Sequence, residues 1–255
     1  MRAPDRIVLA LLAGLGAAAP AAALAPPAPC PPVAMAPLPA PSFAAAVAAR
    51  RAPVIVAFGS SSTAGAGATE ALRSYPAVLE RRLRYALGLP VTVLNRGIGG
   101  EAAEEMAARL DRDVLAAQPD LVIWQVGGNS ALRSADPERY RALVREGLER
   151  LTQAGISVVL MDNQRAPRIA ARPNHRTYDA ITAELARAVP GVALFSRGAL
   201  MDAWARAGVP GGAVLTGDDL HHNDRGYACL AEALAAALLD GLTPVHSRAS
   251  NVPIQ

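Results

Sequence analysis

PVIVAFGSSSTAGAG, residues 53–67, carries an apolar strand straight into a serine-rich turn. Val54, Ile55 and Val56 open a continuous apolar run to Phe58, the pattern of a strand buried on both faces. Gly59 ends the run, Ser60, Ser61, Ser62 and Thr63 follow, and Gly65 and Gly67 let the backbone turn sharply. In open parallel sheets, ligands bind beyond the carboxyl ends of the strands. A hydroxyl in this turn is therefore a candidate nucleophile, provided a base can reach it.

Outward from this stretch, four more apolar runs recur: Val91–Leu94, Leu121–Val126, Ile156–Met161 and Val192–Phe195. Helical periods separate them. Leu79, Leu83 and Leu87 share one face while Arg81, Arg82 and Arg84 point elsewhere. Asp136 and Pro137 form a capped helix start, followed by a stripe of Tyr140, Leu143, Val144, Leu148 and Leu151. A last helix, entered through Asn223 and Asp224, presents Tyr227, Leu230, Leu234 and Leu238. Strands alternating with helices predict an α/β fold, a five-stranded parallel sheet between two helical layers with right-handed crossovers. Five strands point to a flavodoxin-like order.

The chain has 255 residues, 52% of them hydrophobic, enough for one sizeable core and one domain. Its net charge of +3 is small, no Lys occurs, and the arginines are scattered among acids along helices. That distribution disfavours nucleic acid, whose binders carry a clustered basic stripe. At the N-terminus, Arg2 and Arg6 precede an apolar segment from Ile7 to Ala19, and Ala23 and Ala25 occupy A-x-A positions. The expectation is a signal peptide over residues 1–25, cleaved after Ala25, and a periplasmic or secreted protein without a membrane span. Residues 26–42 hold Pro26, Pro27, Pro29, Pro31, Pro32, Pro37, Pro39 and Pro41 and read as a semi-rigid spacer. The folded domain is then expected near Phe43, running over 43–245, with a tail at 246–255. Cys30 and Cys229 could bridge in an oxidising compartment, but Cys229 as a buried small hydrophobe in the last helix is the favoured reading. Pro29 argues against lipidation of Cys30.

Four stretches fall at or after strand ends, so the fold brings them to one rim. They are Gly59 to Thr63, Asn95 to Gly100, Gly127 to Ser130, and Asp218 to Asn223. Acyl transfer uses such groups. A serine needs a neighbouring base, and histidine titrates in the useful range. A carboxylate on the far ring nitrogen fixes the tautomer, and N–H donors hold the oxyanion that develops. A P-loop would need a Lys, and a G-x-G-x-x-G fingerprint fails at Glu70 after Gly65 and Gly67, and at Glu101 and Ala102 after Gly97 and Gly99.

This set resembles the SGNH, or GDSL-type, hydrolases over Pro53 to Leu239. Gly59 to Thr63 matches the first block and implies Ser61 as nucleophile. Gly100 matches the second-block glycine, and Asn129 the third-block amide; with the Ser61 N–H they are the implied oxyanion donors. Asp218 and His221 match the fifth-block Asp-x-x-His and complete a Ser-His-Asp triad. Two positions depart from the family pattern, because Ser60 and Ser130 stand where it has Asp.

The resemblance implies an exported serine esterase acting on acyl esters, O-acetyl or short-chain esters among them, with no cofactor. The alternatives are an acyltransferase or deacetylase acting on envelope polysaccharide, and a non-catalytic glycan-binding module. Asp218, Asp219, His221 and His222 lack a zincin-type spacing, so no metal is expected; Asp219 and His222 read as loop or rim residues. Arg165, Arg168 and Arg172 read as solvated loop arginines, and His175 and His246 as surface or structural residues. A small-molecule or glycan ester is the expected partner; its acyl and alcohol parts, and the oligomeric state, are not legible in the sequence.

Overall fold

The computed structural model describes residues 29–242. The expected signal peptide and the 246–255 tail with His246 lie outside the described residues. In chain order the first half comprises α1 (Pro41–Ala48), β1 (Val54–Gly59), α2 (Ser61–Ala64), α3 (Tyr75–Leu87), β2 (Thr92–Gly97), α4 (Ala103–Ala108), α5 (Leu110–Asp113) and β3 (Leu121–Gln125). The second half comprises α6 (Gly128–Leu132), α7 (Pro137–Gln153), β4 (Ser157–Met161), α8 (Pro167–Ala170), α9 (His175–Ala188), β5 (Val192–Phe195), α10 (Arg197–Arg206) and α11 (Asp224–Gly241). All five strands pair in parallel in the order β2-β1-β3-β4-β5, the flavodoxin-like arrangement.

Strand periodicity divides the interior into two cores, one on each face of the sheet. Ile55, Ala57, Leu121, Ile123, Val159 and Met161 face one core, together with residues of α3 and α11. Val56, Phe58, Val122, Trp124, Val158 and Leu160 face the other, covered by α4, α7 and α9. β1, β3 and β4 therefore alternate sides with period two while both faces stay apolar, whereas the edge strand β2 exposes Asn95 and Arg96 near its end. On α7 the interruption at Gly147 is a packing device: a Cβ there would lie 2.5 Å from the Trp124 ring, so the bare backbone lets the indole seat against the helix.

Two expectations for the N-terminal segment are corrected. Residues 29–40 have no regular secondary structure, yet they are not a free spacer. Leu38 and Ala40 are buried, and the Leu38 N–H donates to the Ala237 carbonyl of α11 at 2.9 Å. Folded structure thus begins ahead of Phe43. The prolines suit this role, because an extended strap without helical or sheet bonding needs few N–H groups satisfied. Cys30 and Cys229 are joined in a disulfide, with Cα atoms 5.2 Å apart, inside the usual window. The reading of Cys229 as a buried small hydrophobe captured only its burial. The strap's course along α11 is what brings Cys30 to it.

Candidate active site

Ser61 opens α2 immediately beyond the carboxyl end of β1. Ser60, just before it, is buried, and both its N–H and its hydroxyl donate to Gln125 Oε1 at 3.0 Å. Thr63 donates to the same oxygen at 3.3 Å. Gln125 is the last residue of β3, the strand beside β1, so the neighbouring strand anchors the turn that presents Ser61. A Cβ on Gly97 would overlap the backbone of Ala64, so the end of β2 presses against α2 from the other side.

The loop before α11 brings an imidazole to Ser61. His221 Nε2 lies 2.8 Å from Ser61 Oγ, and His221 Nδ1 lies 2.5 Å from Asp218 Oδ2. With the proton on Nδ1, the ring donates to Asp218 and accepts from the Ser61 hydroxyl. Asp218 is pre-oriented by its own loop: Oδ1 accepts from the Thr216 hydroxyl at 2.6 Å and from the N–H groups of Leu220 and His221 at 3.0 Å. Burial pushes this carboxyl up. The bonds from Thr216, from the His221 N–H and ring, and from Leu220 outweigh it, and the acid is held well below the usual carboxylate range. Gly67 makes the approach of the two loops feasible. It has φ +91°, and a Cβ on it would lie 2.5 Å from the His222 carbonyl and 3.1 Å from His221 Cβ.

Asn129 lines the same small cavity as Ser61. Asn129, in the first turn of α6 beyond β3, donates through Nδ2 to the Glu101 carbonyl at 2.7 Å, which leaves its second amide proton free. Gly100 precedes that carbonyl with φ +83°, and a Cβ on Gly99 would lie 4.0 Å from Ser61 Cβ, so this loop rests beside Ser61. Arg109 holds it there. The buried guanidinium, 4.4 Å over the Phe58 ring, pairs with Glu101 at 2.6 Å and Asp113 at 2.9 Å and donates to the Gly59 carbonyl at 3.1 Å. One side chain thereby ties the Gly100 loop to the strand end that carries Ser61.

A family model described as the Non-GDSL lipase-like family matches residues 27–244. The chain belongs to the Non-GDSL lipase-like family. An arylesterase from Vibrio mimicus is 29% identical over 107 residues, which cover 42% of this chain and 53% of that protein, so the match spans about half the relative's length. Two solved structures share the fold. A two-domain esterase described as active on acetylated mannans superposes with a TM-score of 0.66 at 22% identity, over 78% of this chain and 53% of that one. Axe2, an acetylxylan esterase from Geobacillus stearothermophilus, gives 0.61 at 21% identity, over 72% and 93%. The family's description agrees with Ser60 standing where a Gly-Asp-Ser motif has its acid.

In this member of the Non-GDSL lipase-like family, two other residues lie elsewhere than expected. His222 is not on the rim. It is fully buried with ring contacts to Trp204 and Tyr227, and its Nδ1 lies 3.0 Å from the Val214 carbonyl. Burial, then the charge of Arg197, push its pKa down to about 3. Arg165 is not a solvated loop residue either: it pairs with Asp179 at 2.7 Å and Asp202 at 3.2 Å, whereas Arg168 and Arg172 are exposed. Asp219 remains on the loop, where its carbonyl accepts from the Arg168 N–H. Gln125, Gln164 and Arg109 were missed from the sequence. Gln125 left a trace, a polar residue inside the apolar run Leu121–Val126, and Gln164 another, three residues past β4 on the same rim. Arg109 left none, being one of many arginines in helical sequence.

Proposed function

We propose that this protein is an exported serine esterase that cleaves acyl esters through an acyl-enzyme on Ser61. The observation that carries the proposal is the continuous hydrogen-bonded chain from Ser61 Oγ through His221 to Asp218. In this reading Ser61 Oγ attacks the ester carbonyl carbon while His221 Nε2 takes the hydroxyl proton. The N–H groups of Ser61 and Gly100 and the amide of Asn129 hold the oxyanion. The tetrahedral species collapses, the alcohol leaves with the proton returned by His221, and the acyl group stays on Ser61. Water, deprotonated by the same imidazole, then releases the carboxylic acid and restores the serine. Asp218, held low by its hydrogen bonds, keeps a negative charge beside the imidazolium throughout. Glycan esters are the favoured substrates, a reading that draws on the relatives described as acting on acetylated mannans and as an acetylxylan esterase.

The test is fluorophosphonate labelling and ester hydrolysis by the purified protein beside Ser61→Ala. Both signals should vanish in the variant while its circular dichroism is unchanged. Turnover retained by pure Ser61→Ala would overturn the assignment. Including a sugar acceptor distinguishes hydrolysis from transfer, because transfer yields an acylated sugar in place of free acid.

A further inference from the structure

We infer that the cavity beside Ser61 is an acyl pocket limited to acetyl, with Ile169, Leu132 and Gln164 setting the limit; the inference rests on the esterase reading. The cavity lies among Ser61, Asn129, Leu132, Gln164, Ile169 and Leu220 and has a volume of about 10 Å³. That is room on the order of one water, which a methyl group can replace. A propyl group enters only if a wall moves.

The walls are held. Ile169 is buried, and its Cδ1 lies 3.6 Å from the position of a Cβ built on Gly128, so it rests against the turn that carries Asn129. Leu220 is tied twice: its carbonyl accepts from Gln164 Nε2 at 3.1 Å, and its N–H donates to Asp218 Oδ1 at 3.0 Å. Displacing Leu220 to admit a longer chain would pull on the carboxylate that orients His221. Size selection and triad geometry are therefore mechanically linked through Leu220.

The polarity of the cavity acts in the same direction. Gln164 is buried, and its Oε1 has no hydrogen-bond partner among the described residues. This oxygen is already closed to solvent, and an alkyl chain packed against it would offer it no donor, which keeps the pocket unfavourable for apolar groups.

The experiment measures kcat/KM for p-nitrophenyl acetate, butyrate and octanoate with wild type, Ile169→Ala and Leu132→Ala, alongside fluorophosphonate labelling. Wild type should favour acetate over butyrate by about 10-fold or more, and octanoate should be cleaved more slowly still. Either alanine variant should raise the butyrate-to-acetate ratio about 10-fold; the ratio is independent of the fraction folded, and the half-buried Leu132 serves if Ile169→Ala does not fold. Labelling with a flat chain-length profile, or an unchanged ratio in the variants, overturns the pocket and leaves the esterase reading standing. Neither labelling nor hydrolysis of any ester overturns both.

Discussion

Ser60 and Gln125 are joined by two hydrogen bonds to one oxygen, Gln125 Oε1, at 3.0 Å each. Their 65-residue separation is spanned by the β1–β3 pairing, so the residue before Ser61 is anchored by the next strand. Where related motifs place an acid, this chain has a hydroxyl with an acceptor waiting for it. Gln125→Leu would take the acceptor from the Ser60 N–H and hydroxyl and from the Thr63 hydroxyl, which keeps Tyr75 as a partner, at a cost of about 1–3 kcal/mol for each donor left unsatisfied before relaxation. The urea midpoint should fall, and kcat should drop by about 10-fold as the Ser61 turn loosens. An unchanged kcat would show that the turn is rigid without Gln125.

In the proposed mechanism Asn129 supports the oxyanion directly and Arg109 supports it indirectly. Asn129→Ala removes a donor, and kcat should fall by about 10²–10³ with little change in KM. Arg109→Met removes the tie between the Gly59 carbonyl and Glu101 and takes the guanidinium from half-buried Glu101, while Asp113 keeps its pair with Arg112. It should lower both stability and kcat, and Arg109→Lys should restore only part of either, because a point charge cannot reproduce the fork. Full rescue by lysine would reduce Arg109 to a charge-balancing role.

The buried His222 predicts a particular acid sensitivity. An unfolded chain's imidazole takes its proton near pH ~6.5, whereas folded His222 does so only near 3. Between those values the unfolded state binds the extra proton. Stability should therefore be full above about pH 6.5 and decline progressively as pH falls toward 3, by a few kcal/mol at most in order of magnitude. Asp218, with its carboxyl held low, adds its own loss only below about pH 4. His222→Phe should flatten the urea midpoint between about pH 6.5 and 4; parallel slopes in the two proteins would assign the acid loss to another group.

The disulfide closes a loop with a sequence separation of 199 residues. Cys30→Ser should cost about 2–4 kcal/mol of stability, and reduction of the wild type should cost the same. Activity at 25 °C should persist, because the bridge lies on α11 and the strap, away from Ser61. Differential scanning calorimetry with and without reductant checks the first point and an ester assay the second. A variant as stable as wild type would mean that the packing of Leu38 and Ala40 holds the strap unaided.

The five strands, the helices between them, and the rim bearing Ser61, Gly100, Asn129, Asp218 and His221 are legible in the chain. Strand burial, helical stripes and capping act over a few residues, and a parallel sheet delivers every strand end to the same edge. Other features belong to the tertiary structure. The hold of Gln125 on Ser60, the guanidinium of Arg109 between two loops, the burial of His222 and the meeting of Cys30 with Cys229 join residues that no local period relates. Their contacts depend on strand order, register and the path of the strap, so only the assembled core decides which hydrogen-bond partner each buried group meets. Physically, short-range patterns set where polar groups arrive, and packing sets what they touch. The sequence thus determined which residues form the rim, and the tertiary structure decided what holds Ser61 in place and how little room is left beside it.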